Sequence, residues 1–159
     1  MKRLLRFLTL AAMAALTAAC SIISQKDFDL QEAKIISFNG LSGAVIELTI
    51  ENKSPFTVRI TDGELEGYYF EDKLGEVYLK NEVVLTKRSV NTVRAEVGFR
   101  FASPMSAMRA VRTLTQSPEN ITVSGYGEAR IWFFRKRMER KNVPLSKFID
   151  IFGQPSNYF

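Results

Sequence analysis

The amino-acid sequence predicts an all-β domain, a sandwich of about seven or eight strands with one short helix in a crossover connection. Apolar residues alternate with polar ones along much of the chain, and turn-forming residues recur at short spacing. Alternation with a period of two is the pattern of a strand with one buried face. The 159 residues suffice for one hydrophobic core. Many short strands separated by turns are typical of a sandwich.

The strands are justified in chain order by their apolar faces. An opening strand is expected over 28–38, and the alternation is clearest over 45–51. It resumes over 56–61 after Asn52-Lys53-Ser54-Pro55, a turn in which Pro fixes its φ and Asn and Ser bond to nearby backbone. We expect the strands on either side of this turn to form a hairpin. The other strands are expected at 65–70, 75–80, 83–85, 90–101, 121–134 and 143–151, with turns at 71–74 and 86–89.

One segment departs from the strand pattern. Ser103-Pro104 is a helix start signal, and Ser117-Pro118 closes the segment. The spacing predicts a helix over 104–115 whose methionines pack into the core and whose exposed face carries arginines. The expected apolar face comprises Met105, Met108, Val111 and Leu114, and the expected exposed face comprises Arg109 and Arg112.

The first twenty residues predict export. Lys2, Arg3 and Arg6 precede an uncharged stretch over 7–16, and small residues stand before Cys20, the one cysteine of the sequence. These are the features of a secretory signal. The arrangement resembles a bacterial lipobox, which implies cleavage before Cys20 and lipid attachment to it. The uncharged run is shorter than the roughly 20 residues that a membrane-crossing helix needs.

The predicted organisation is a signal peptide over 1–19, a lipidated Cys20 with a short linker over 20–26, one sandwich domain over 27–153 and a tail over 154–159. Ser21 follows the cysteine, and Asp in its place would resemble an inner-membrane retention signal. We therefore expect a lipid-anchored protein of the outer membrane that faces the periplasm. The alternative is an ordinary cleaved signal that leaves a free Cys20 in a periplasmic protein.

Charge is balanced in the predicted mature chain but unevenly distributed. Without the three basic residues of the signal, 19 basic residues face 17 acidic ones. Residues 21–86 hold 6 basic and 12 acidic side chains, whereas 87–159 hold 13 and 5. Such a split either pairs across the two halves of one domain or marks a binding face.

A resemblance to a known family rests on several motifs in order. They are Ile46-Glu47-Leu48-Thr49-Ile50-Glu51-Asn52 running into Lys53-Ser54-Pro55-Phe56, then Leu74-Gly75-Glu76-Val77, Lys87-Arg88-Ser89 and Ile121-Thr122-Val123-Ser124-Gly125-Tyr126-Gly127. Over about 40–135 the chain resembles the late embryogenesis abundant type 2 family, also called the WHy domain, in its bacterial lipoprotein form. The family's usual Asn-Pro-Asn is here Asn52-Lys53-Ser54-Pro55. The resemblance implies an immunoglobulin or fibronectin type III-like sandwich, a role in envelope stress or desiccation tolerance, and no catalytic residues.

The composition argues against catalysis and against a cofactor. The sequence has no histidine, and a lipidated Cys20 is no nucleophile, so histidine-dependent triads and Cys/His zinc sites are excluded. Glu47, Glu51, Glu64 and Glu66 fall at alternate positions typical of a solvated strand face. For calcium the candidates are Asp27-Phe28-Asp29 and Glu71-Asp72, which lack the spacing of an EF-hand loop and are interpreted as surface charge. We expect no enzyme, no metal and no cofactor.

Five basic residues follow Trp132-Phe133-Phe134: Arg135, Lys136, Arg137, Arg140 and Lys141. Nucleic acid is not expected as a partner of an exported protein. One interpretation is contact with anionic lipid or glycolipid headgroups. The other is a charged hairpin tip that joins the last two strands and discourages edge-to-edge pairing.

The sequence therefore predicts a non-catalytic envelope protein that binds or protects. Two alternatives stay open. One is an accessory subunit of an envelope complex, with a protein partner on an exposed apolar patch. The other is a carrier of a lipid or apolar ligand, with a cavity between the layers lined by residues such as Phe99, Phe101 and Trp132.

Overall fold

The structure is a computed structural model that describes residues 27–147. The predicted signal peptide, Cys20, the linker, residues 148–153 of the predicted domain and the tail lie outside these residues. Within residues 27–147, eight strands and one complete α-helix follow in chain order: β1 Phe28–Phe38, β2 Gly43–Asn52, β3 Val58–Tyr69, β4 Asp72–Leu79, β5 Val83–Leu85, β6 Ser89–Arg100, α1 Pro104–Gln116, β7 Ile121–Ile131 and β8 Phe134–Pro144. The predicted all-β class, with eight strands and a helix in a crossover connection, is confirmed.

The strands form one antiparallel sheet that folds over into a sandwich-like pair of layers. Their order is β1-β2-β6-β4-β3-β7-β8, and β5 pairs with the start of β3. β4 pairs with both β6 and β3, so it joins the β1-β2-β6 layer to the β3-β7-β8 layer. Inward residues of both layers share one core cluster, as Ile46 and Leu48 of β2 do with Val58 and Ile60 of β3.

The predicted hairpin between β2 and β3 is wrong. β2 pairs with β1 and β6, and the segment after Asn52 passes from one layer to the other. The reason is the fully buried side chain of Asn52, whose amide donates to the carbonyls of Phe56 and Leu85 at 3.0 Å each. Its Oδ1 accepts from the Ser54 hydroxyl at 2.7 Å. These bonds hold the segment against β5, which is part of the other layer.

The last two strands also differ from the prediction. β7 ends at Ile131, Trp132 and Phe133 form a two-residue turn, and β8 begins at Phe134, which pairs with Ile131. The basic run therefore lies along an edge strand and is not a hairpin tip. β8 tolerates charge on both faces because none of its side chains is buried, and charged residues on an edge strand discourage pairing with another chain. The predicted separate strand over 143–151 is not seen in the described residues, because 143–144 are the end of β8 and 145–147 are helical; residues 148–151 lie outside them.

α1 begins and ends where predicted but presents a different face. The Ser103 hydroxyl accepts from the Ser106 amide at 3.1 Å, and Pro104 occupies the first turn. The buried residues of the helix are Ala107, Ala110 and Thr113, whereas Met105 and Met108 are 75% and 70% exposed. The prediction that the methionines pack into the core is wrong. The small alanines let the helix lie close to the sheet, and of the expected apolar face only Leu114 packs against the buried cluster beneath the helix.

The sandwich has two ends, which we name by their residues. At the Asp27 end, the Lys53 amide donates to the Asp27 carbonyl at 2.8 Å. The β7–β8 turn lies at the same end, since the Phe56 ring is 6.5 Å from the Trp132 ring. At the opposite end, the α1 end, β1 finishes, β7 begins and α1 covers the opening between the layers.

Candidate functional site

An apolar cavity of about 130 Å³ lies at the α1 end between the two layers. It separates the main core from a second buried cluster beneath α1, to which Leu65, Ala110 and Ile121 belong. Glu76 is the one charged residue in its lining, and the others are apolar or glycine. A lining of this kind offers no nucleophile and no acid–base group. It suits an aliphatic or aromatic group without charge.

The space exists because small residues meet there. Gly67 of β3 and Gly75 of β4 are directly opposite each other in the antiparallel register. A side chain at Gly67 would meet no atom within 4 Å of its Cβ. Above these glycines α1 contributes Ala110 rather than a larger residue. Gly67 and the helix alanine thus leave a gap that larger side chains would fill, whereas the space beside Gly75 is occupied by the Phe101 ring.

Exposed apolar residues form the mouth of the cavity. Leu41, in the 3₁₀ turn Gly40–Ser42, is 59% exposed, and Phe38 and Val111 are partly exposed beside it. Met105 and Met108 add exposed apolar surface on α1 outside the residues that line the cavity. Methionine adapts its shape easily and is common at surfaces that accept varied apolar partners. The mouth is therefore an apolar surface that leads into an apolar interior.

The sequence predicted part of this site. Phe99 and Phe101 line the cavity, as expected for a carrier, whereas Trp132 lies at the Asp27 end and takes no part in it. The prediction that Trp132 lines the cavity is wrong, because β7 runs through the sandwich and ends far from α1. The sequence analysis did not identify Gly67 and Gly75 as residues of this site. Glycine within a strand pattern was the available signal, since it often marks a close approach or a missing side chain.

A network of charges lies on the outer surface of β3 and β4. Carboxylate oxygens of Glu64, Glu66 and Glu76 lie within 4.8 Å of one another. The Lys73 ammonium contacts Glu66 at 2.5 Å and also bonds to Glu76, and Arg100 contacts Glu76 at 2.6 Å. These cations pair with Glu66 and Glu76.

The pKa values follow from these contacts. Hydrogen bonds from Lys73 hold the pKa of Glu66 and that of Glu76 below their usual range, against the opposing effect of burial. Burial lowers the pKa of Lys73, but the two carboxylates together raise it above its ordinary value. The network is therefore charged at neutral pH and acts as a structural clamp between β3 and β4.

The five basic residues predicted for anionic contact do not form one patch. Arg135 pairs with Glu128 at 3.2 Å, and Arg137 pairs with Glu139 and stacks over the Tyr126 ring. Lys136, Arg140 and Lys141 make no ion pair within residues 27–147. Because β8 is a strand, consecutive side chains alternate between its faces. The run therefore divides its charge between two surfaces.

Both calcium candidates of the sequence carry ion pairs. Asp29 lies 4.0 Å from Lys53, and Asp72 accepts from Arg109 at 2.7 Å. The uneven charge of the two halves is in part paired across the domain. The pairs that join a basic residue of 87–147 to an acidic residue of 27–86 are Arg94 with Glu47, Arg100 with Glu76, and Arg109 with Asp72.

In the part of the chain that the structure describes, no helix is both long and apolar enough to cross a membrane.

Comparisons with known proteins leave the family open. A scan against models of protein families finds no match, and a search of curated proteins finds none either. Among solved structures, a protein from Archaeoglobus fulgidus is similar over 70% of this chain and 96% of that chain, with 13% identity and a TM-score of 0.40. A likeness at this level carries no conclusion about fold or function.

Proposed function

We propose that this chain is a lipid-anchored, non-catalytic protein of the cell envelope that binds an apolar ligand, such as an acyl chain, in the cavity beneath α1. The observation that carries the proposal is the cavity itself. It is apolar, it opens to the surface between Leu41 and Val111, and it lies where two layers and a helix meet. A purely protective sandwich has no need of such a space.

The size of the cavity sets the size of the bound group. A cavity of about 150 Å³ lined by aliphatic and aromatic residues holds one benzene molecule. The 130 Å³ beneath α1 therefore accommodates a segment of about six carbon atoms. A longer chain leaves through the mouth and lies against Leu41 and the exposed methionines of α1.

The experiment titrates the full chain with straight-chain carboxylic acids of increasing length and measures binding by calorimetry. Each methylene that enters the cavity contributes about 0.8 kcal/mol, which is roughly fourfold in affinity. We expect affinity to rise at this rate for about six carbons and then more slowly. Gly67→Leu, which fills the space from within, should abolish binding. Arg112→Leu adds an apolar side chain on the exposed face of the same helix and should bind as the unaltered chain does.

Equal binding by the Gly67→Leu variant would contradict the proposal, because the ligand would then lie elsewhere. Affinity that does not depend on chain length would contradict it as well.

The envelope location and the lipid anchor come from the sequence, and membership of the late embryogenesis abundant type 2 family stays a prediction. An intact amino terminus in the mature protein, with no fatty acid on Cys20, would contradict the anchor. Mass spectrometry of the amino-terminal peptide measures both.

A further inference from the structure

The Asp27 end carries a cluster of exposed aromatic rings. Trp132, Phe133 and Phe134 are 69%, 85% and 69% exposed. Their rings contact in series, at 6.1 Å between the first two and 5.9 Å between the last two. Phe56 joins them through its edge-on contact with Trp132. Large aromatic side chains gathered at one exposed point mark an interaction surface. We call these four residues the aromatic tip.

The backbone at the tip is strained. Trp132 is the first residue of a two-residue hairpin turn and has φ of +55°. Such turns favour glycine or asparagine where φ is positive, and a bulky residue there is unusual. The chain therefore holds an indole at an exposed corner that a glycine would occupy more easily.

Cations surround the aromatic tip. Arg130 of β7 stands between Arg59 of β3 and Arg135 of β8 in the sheet register, all on the solvent face. Lys87 and Arg88 lie at the same end, since the Arg88 amide donates to the Ser54 carbonyl at 3.2 Å. Within the described residues, no ion pair involves Lys87, Arg88 or Arg130. Aromatic rings with free cations beside them match the interface of a bilayer that contains anionic lipid.

The described chain begins at this same end. The Asp27 carbonyl accepts from the Lys53 amide, and Phe28 pairs with Asn52. Cys20 lies seven residues before Asp27. An extended segment of that length reaches about 25 Å at most. A lipid on Cys20 would therefore hold the Asp27 end, and not the α1 end, near the bilayer.

We propose that the aromatic tip inserts into the interfacial region of the bilayer that holds the lipid anchor, with the neighbouring cations on anionic phospholipid headgroups. The proposal rests on the lipid anchor of the proposed function but not on its cavity. The proposal also fixes the orientation of the domain relative to the bilayer. β7 takes eight residue steps from Val123, in the cavity lining, to Ile131, beside the tip, which is about 26 Å. The cavity mouth then opens away from the anchoring membrane.

The experiment uses the intrinsic fluorescence of Trp132, the one tryptophan of the sequence. The full, lipid-modified chain is reconstituted in vesicles of phosphatidylcholine and phosphatidylglycerol, and flotation measures attachment. Replacing the phosphatidylcholine with its brominated form should quench the emission at least twofold. The emission of the vesicle-attached protein should also lie at shorter wavelength than that of protein that has been cleaved from its anchor and is in detergent-free buffer.

A matched control lies at the other end of the molecule. Phe70 is the first residue of the β3–β4 turn, with φ of +54° and 69% exposure, close to the values of Trp132. The double variant Trp132→Phe/Phe70→Trp moves the indole to this turn, and its emission should be insensitive to brominated lipid. A third variant, Phe133→Asp, changes the most exposed ring of the tip. It should float as before and lose most of the Trp132 quenching.

Two results would overturn the proposal. If brominated lipid does not quench the Trp132 emission of attached protein, the aromatic tip stays in water. Equal quenching of Trp132 and of the tryptophan at position 70 shows that the domain has no fixed orientation. A chain that does not float contradicts the anchor, and with it the docking. Failure of fatty acid binding, in contrast, leaves this proposal intact and contradicts only the cavity.

Discussion

Filling the cavity from within should stabilise the protein. Gly67 lies on the inward face of β3, two residues after the buried Leu65, and lines the cavity. Its φ is negative, so a side chain is compatible with the backbone, and its Cβ would meet no atom within 4 Å. The substitution Gly67→Leu places four carbon atoms in this space.

The apolar surface that the new side chain buries sets the magnitude. Burial of four carbon atoms at about 0.8 kcal/mol each gives about 3 kcal/mol. Fixing the leucine rotamer costs about 0.5–1 kcal/mol. We expect the free energy of unfolding to rise by about 2 kcal/mol.

Urea denaturation of the full chain measures this change. With a slope of about 2 kcal/mol per molar, the midpoint should rise by about 1 M. Gly75→Ala is the matched control across the sheet. Its Cβ would lie 2.7 Å from the Phe101 ring and 3.0 Å from the Arg100 carbonyl, so we expect a loss of about 1–3 kcal/mol. If Gly67→Leu lowers the midpoint or leaves it unchanged, the space beneath α1 is not open and the reasoning is refuted.

Three further predictions concern stability. Asn52→Ala leaves the buried Leu85 carbonyl and the buried Ser54 amide without their partner and should lower the free energy of unfolding by about 3 kcal/mol, measured by urea denaturation. A loss below about 1 kcal/mol would contradict the role of the Asn52 side chain. Ser103→Ala removes the cap of α1 and should cost about 1 kcal/mol, and Ser103→Asp should restore it. Because the pKa of Glu66 and that of Glu76 lie below the ordinary value of 4.5, their contribution to the free energy of unfolding is present above pH 4.5 and is lost as pH falls through the depressed values. Lys73→Met should therefore reduce the loss of stability in acid. An unchanged profile of stability against pH would show that Lys73 is not its source.

Signals contained within a few neighbouring residues, such as the alternation of apolar and polar side chains, predicted individual elements well. The alternation of Ile46, Leu48 and Ile50 predicted β2, and Ser103-Pro104 predicted the start of α1, because both signals are contained within a few residues. Which strands pair is decided by contacts between distant residues. The bonds from Asn52 to Leu85 carry the chain into the second layer, and no local pattern around the turn contains that information.

The basic run shows a different limit. A stretch in which five of seven residues are basic has no apolar alternation, so it resembles a turn rather than a strand. As an edge strand, β8 needs little burial, and backbone pairing with β7 is enough to hold it. The turn itself falls on Trp132 and Phe133, residues that normally favour strands.

The cavity exists because small residues that are distant in sequence meet there and lack the side chains that would fill it. Gly67 and Ala110 approach each other only after β3 and α1 have packed. The sequence predicted the class of lining through Phe99 and Phe101, but the free space required the register that places Gly67 opposite Gly75.

The most direct test of the account is the position of a bound acyl chain in a crystal of this protein. A fatty acid brominated at its terminal carbon marks its own end by anomalous scattering. We expect the bromine peak between the two layers beneath α1, within contact distance of Gly67, Phe101 and Ala110. A peak confined to the outer surface, or at the aromatic tip with the cavity unfilled, would contradict the claim that this space binds the ligand.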